Sequence, residues 1–148
     1  MDADNPYSIP SAQLADPSLV SGRLYKPMAV GLATFLGSPL AGAYILTQNL
    51  KHLGRSEEIR NVWLIAVGLL LVTMLCAALL PESVPSLPFT IVQIIAMGAL
   101  SNHYTATDLA RHLEQAGSFH SNWRAAGISL LFMLALAALI LPVVFLLA

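Results

Sequence analysis

A chain of 148 residues in which 57% are hydrophobic and only 10% charged lies far from soluble domains, where about a quarter of residues are charged. Length fits one domain, and composition points to an integral membrane protein. A formal net charge of −1 gives no reason to expect nucleic acid, and the single cysteine, Cys76, excludes a disulfide framework or a C-x-x-C redox pair.

The chain opens with MDADNPYSIPSAQLADPSLVSGRLYK, which has three Pro, three Asp and no sustained period. Residues 1–27 read as an irregular tail on or beside the membrane. MAVGLATFL followed by GSPLAGA imitates the core and cut site of a signal peptide. The leader before it is too long and too acidic, however, and the apolar run continues through AYIL.

Four apolar runs follow, over 28–49, 62–80, 87–106 and 125–147. Each approaches the roughly 20 residues of helix that cross a hydrocarbon core of about 30 Å. The predicted architecture is all-α: a domain over 28–148 of four transmembrane helices, arranged as two tandem hairpins, 28–80 and 87–148.

The first run contains TFLGSPLAGAY. Ala29, Ala33, Gly37 and Ala41 recur every four residues, and Ser38 with Gly42 forms an adjacent small pair. In lipid, helices associate through close van der Waals contact, which small residues permit. Pro39 cannot bond the carbonyl of Phe35, and the Ser38 hydroxyl is placed to reach back to it. Ala33, Gly37, Ser38, Pro39, Ala41 and Gly42 are therefore predicted to form the packing seam of a kinked helix. The competing reading takes the interruption as a solute site, as in the broken helices of transporters.

An offset of 60 residues places Tyr44 on Tyr104, Thr47 on Thr107, His52 on His112 and Trp63 on Trp123. Residues 40–80 and 100–140 share 12 identities in 41 gapless positions, where roughly three or four are expected from composition alone in a self-match test. The two hairpins thus read as an internal duplication inserted the same way, related by an axis along the membrane normal.

The repeat also duplicates a polar face at the inner ends of the first and third runs. Tyr44, His52, His103, Tyr104, Asp108 and His112 are the candidates for a polar pocket between the hairpins. Asp108 and His112 are four apart, a spacing that suits two ligands of one metal. The simpler reading is an interfacial belt of aromatic and cationic residues at helix C-termini, and on that reading no metal and no cofactor are expected. His103 is the deepest ionisable side chain, and such groups are functional suspects in a membrane. There is no H-E-x-x-H, G-x-S-x-G, P-loop or dinucleotide turn, so no enzymatic activity is expected. Ser56 with Glu57 and Glu58, and Ser121 or Asn122, read as helix-start residues.

Lys51, Arg55 and Arg60 lie in the first connection, Arg111 and Arg124 in the third, and none in PESVPSLP. By the bias of Lys and Arg toward the cytoplasm, loops 51–61 and 107–124 face inward and both termini outward. Arg23 and Lys26 oppose this assignment. At FLGSPLAG, with Asn49 and the LGR of 53–55, the chain resembles small, uncharacterised polytopic membrane proteins of bacteria, and NPYSIPSAQL resembles their Pro-rich tails. The resemblance covers about the first 60 residues; it implies an inner-membrane setting and no particular activity.

The function expected is that of a non-enzymatic membrane protein acting through helix–helix contacts, as an accessory subunit or an immunity-type protein. The partners are the lipid bilayer and another membrane protein or a second copy. The alternative is a small transporter or channel working as an oligomer.

Overall fold

The computed structural model describes residues 22–81 and 83–147; residues 1–21 of the expected tail lie outside the described residues. The described residues form five α-helices and no strand: α1 (Pro27–Gly37), α2 (Pro39–His52), α3 (Ile59–Leu79), α4 (Leu87–Glu114) and α5 (Asn122–Leu147), with one 3₁₀ turn at Ser56–Glu58 before α3.

The largest departure from expectation is in the first apolar run. In one helix, Tyr25 and Asn49 would stand about 36 Å apart at 1.5 Å per residue. Instead, the buried Asn49 carboxamide bonds both backbone groups of Tyr25. Its Oδ1 accepts from the Tyr25 N–H at 2.7 Å, and its Nδ2 donates to the Tyr25 carbonyl at 2.7 Å. The run is therefore two antiparallel helices, α1 and α2, folded against each other, where a single kinked helix was expected. At 11 and 14 residues they are about 16 and 21 Å long, too short to cross a hydrocarbon core of about 30 Å.

The reversal occurs at Ser38, whose φ of 91° and ψ of 168° lie in a region used almost only by glycine. Pro39 supplies the cause: it has no N–H to continue α1, and its fixed φ suits the first position of a new helix. The expected bond from the Ser38 hydroxyl to Phe35 does not form, because the turn carries the side chain away from the helix it was to serve. The Ser38 N–H donates to the Thr34 carbonyl at 3.0 Å, and its buried hydroxyl has no partner.

The small residues make this fold steric rather than merely permissive. A Cβ on Gly42 would overlap the Thr34 hydroxyl and press on the Val30 carbonyl, and one on Gly37 would overlap the Ser129 backbone of α5. Ala29, Ala33, Pro39 and Ala41 are likewise buried. α1 packs against α2, α4 and α5, whereas α4 and α5 make no contact with each other and α3 touches α4 only lightly. The hairpin is thus the centre of the bundle. Hydroxyls at these contacts bond their own helix: Thr34 to Val30, Thr105 to Ser101 and Ser129 to Ala125, which lets polar side chains occupy apolar positions.

Two stretches, Ser56–Leu79 and Asn122–Val143, are long and apolar enough to cross a membrane, and only 11% and 6% of their apolar windows are buried within the chain. That exposure separates them from the core helices of a soluble protein. α4 has the length, 28 residues, but Gln93, Ser101, Asn102 and His103 dilute its apolar character. Its buried stripe, Gln93, Met97, Ser101, Thr105, Leu109 and His112, keeps helical spacing and faces α1 and α2. At the positions equivalent to Ser38 and Pro39 it carries Gly98 and Ala99 and runs on unbroken.

Gly37→Ala is expected to lower thermal stability in detergent by about 1–3 kcal/mol through overpacking. Gly127→Ala, where an added Cβ meets nothing within 4 Å, is expected to be neutral or stabilising by up to about 1 kcal/mol from helix propensity.

Candidate functional site

Folding at Ser38 gathers the charged ends of the chain. Leu24 pairs with the loop after α4: its N–H donates to Ser118 and its carbonyl accepts from His120. Lys51 and His52 end α2, Arg111 lies in the last turn of α4, and Arg60 and Arg124 begin α3 and α5. All seven Lys and Arg therefore lie at one end, and the loop between α3 and α4 lies at the other.

Two polar clusters form at the cationic end, on opposite edges of α2. Toward α4, Arg55 donates to the Tyr104 carbonyl, to Asp108 Oδ2 at 3.5 Å and to Glu58 Oε1 at 3.0 Å, and its guanidinium lies 5.9 Å from the centre of the Tyr104 ring. This cation is neutralised and held; the arrangement ties the α2 end to α4.

Toward α5 the balance differs. Tyr25, buried at the start of the hairpin, stacks on His120 with centroids 4.5 Å apart, and Arg124 Nη1 lies 3.4 Å from His120 Nδ1. Gly22 rests against the His52 ring, and Lys26 lies 5.1 Å from the centre of the Phe119 ring. Among the described residues the only ion pairs are those of Arg55. Burial, then the positive charges of Arg124, Arg23 and His52, hold the His120 imidazole below its ordinary 6.5. Burial likewise raises the Tyr25 phenol, with Arg124 opposing.

The six residues expected to share a pocket are dispersed. Tyr104 and Asp108 meet Arg55. Tyr44 packs on Phe132 of α5, centroids 5.4 Å apart, and His52 is exposed beside Gly22. His103 is exposed on the far face of α4. His112 is buried: its Nε2 lies 2.9 Å from the Ser118 carbonyl, its ring stands edge-on to Phe119, and Gly117 leaves room for it. Asp108 and His112 thus turn to different partners, and no group of three potential metal ligands occurs among the described residues. Sequence reasoning missed Tyr25, Asn49, His120 and Arg124; the run HSNWR, with a His and an Arg four apart at a helix start, was the available signal.

At the opposite end a cleft of about 240 Å³ opens between α3 and α4, lined by Thr73, Cys76, Phe89, Thr90 and Gln93 among others. There the Gln93 amide donates to the Thr73 hydroxyl. No family model, curated protein or solved structure matches this chain.

The His120 cluster predicts a pH response. The unfolded chain takes up a proton near 6.5, while folded His120 resists it until lower pH, so stability is complete above the ordinary histidine range and falls as pH drops through it. Thermal unfolding in a zwitterionic detergent from pH 8 to pH 5 is expected to show that fall, and His120→Gln is expected to flatten it.

Proposed function

We propose that this is an integral membrane protein in which α3, α4 and α5 cross the bilayer while α1 and α2 enter and leave from the cytoplasmic side. It acts without catalysis, through contact with another membrane protein or a second copy, as an accessory subunit or immunity-type protein of a bacterial inner membrane. The observation that carries the orientation is the gathering of all seven cations at one end. With the first run folded back, Arg23 and Lys26 no longer oppose the loop charges, and the bias of Lys and Arg toward the cytoplasm is satisfied throughout. The N-terminal side is then cytoplasmic and the C-terminal end of α5 external, in place of two external termini.

Contact is supported by the outward face of α4. Ala99, Asn102, His103, Ala106, Thr107 and Ala110 are exposed there at helical spacing, and α5 does not cover them. Small residues permit close approach and polar ones bond across helices in lipid. Gly37 and Gly42, by contrast, are consumed within the chain. Pseudo-symmetry gives the transporter reading less support: the helix interruption is filled by α4 and α5 and is absent from the second half.

Compartment reporters fused at the N-terminus and after Gly117 are expected to report the same side, and one after Ser83 the other; disagreement between the first two would reject the folded-back hairpin. Association, measured by crosslinking and by co-purification in mild detergent, is expected to fall at least about tenfold in Asn102→Leu/His103→Leu, since each interhelical hydrogen bond in lipid contributes about 1 kcal/mol. Unchanged association would refute the α4 surface.

A further inference from the structure

Arg55 is held by two carboxylates, whereas the cations on the other edge of α2 have no carboxylate partner among the described residues. Arg124 Nη1 donates to His120 Nδ1 at 3.4 Å, the Leu24 backbone pairs with Ser118 and His120 and so brings Arg23 to the same edge, Gly22 rests against His52, and the carboxylates of Glu58 and Asp108 are engaged by Arg55 on the α4 side. Among the described residues no carboxylate pairs with these cations, and an anion in their midst supplies a counter-charge. A guanidinium offers paired donors to two oxygens of one phosphate.

Directly beyond Arg124 on the same face of α5 come Ile128 and Phe132, one turn apart. Both are half-buried and packed on the core, and Phe132 lies against Tyr44 of α2. The cationic cluster thus adjoins a half-buried apolar lane along the surface of α5.

We infer that Arg23, His52, His120 and Arg124 bind the phosphodiester of an anionic phospholipid, whose acyl chain lies along Ile128 and Phe132. This rests on the reading of the cationic end as the cytoplasmic membrane surface. The shared chemistry is that of any phosphate, and the apolar lane selects the lipid over free phosphate. Arg124 is the principal donor, Arg23 and His52 supply charge, and Tyr25 fixes the imidazole by stacking. A bound phosphate favours protonated His120, so affinity rises as pH falls. The groups facing that imidazole are Arg23, Tyr25, His52 and Arg124.

The test is native mass spectrometry of the purified full chain with phosphatidylglycerol or phosphatidylcholine of matched acyl chains, with inorganic phosphate as competitor. Phosphatidylglycerol is expected to be retained roughly tenfold or more over phosphatidylcholine, from two basic side chains at an anionic headgroup. The preference is expected to disappear in Arg23→Gln/Arg124→Gln, return in Arg23→Lys/Arg124→Lys, and persist in Arg111→Gln. It is expected to strengthen as pH falls below the ordinary histidine range, and His120→Gln is expected to reduce that dependence. Circular dichroism identifies a variant that has merely unfolded. Equal retention of the two lipids, or an undiminished preference in the Gln pair, overturns the inference. Stabilisation by inorganic phosphate without lipid preference overturns the lipid assignment in favour of a free anion. Because the reporter fusions read the membrane arrangement independently, a protein that inserts as proposed but shows no lipid preference refutes only this site.

Discussion

The Asn49 carboxamide closes the structure at its most consequential point. Its two hydrogen bonds satisfy a backbone N–H and a backbone carbonyl of Tyr25 that are buried where helix α1 has not yet begun. Leaving either group unpaired there would cost about 1–3 kcal/mol. The same contact fixes the position of residues 22–26, and through Leu24 it joins them to the loop between α4 and α5. The cationic cluster around His120, the collection of cations at one end and the central place of the hairpin all descend from that closure. No other asparagine contact spans so much of the chain's logic: it turns one apolar run into two elements lying side by side.

Burial of apolar surface does little to bring helices together within lipid, so in the proposed membrane arrangement the hairpin is held by fit and by polar bonds. Gly37 and Gly42 let backbone meet backbone and side chain, and Thr34, Thr105 and Ser129 spend their hydroxyls on their own helices. Against this stands Ser38, with a backbone conformation costing about 1–3 kcal/mol and a buried hydroxyl without a partner. The turn persists because contacts on both sides of it over-determine its position: Gly37 on α5, Gly42 on α1, and Asn49 at the open end.

Much of the helical plan was legible in the sequence. The apolar runs that became α3 and α5 announce themselves by length and lack of charge, and Ser121 does cap α5 by accepting from the Trp123 N–H at 3.3 Å. Ser38–Pro39 announced an interruption, but a proline specifies only that a helix cannot continue, and the direction in which the chain leaves is set by partners distant in sequence. Asn49 was such a partner, and nothing local marks an asparagine near the end of an apolar run as a clasp. The polar pocket was misread because the duplicated Tyr, His and Thr positions suggested two equivalent faces meeting. The broken first helix removes that equivalence, and α1 lies wedged between α4 and α5. His103 accordingly faces outward, while His120, outside the repeat's matched identities, joins the cationic cluster.

A chain that turns back at Ser38 changes parity. In the proposed arrangement, residues 23–26 stay on the face where α2 ends, so Arg23 and Lys26 avoid passage through hydrocarbon during biosynthesis. A duplicated pair of crossings would have kept the two halves interchangeable. One proline and one strained serine make α1 a wedge and α4 and α5 its housing.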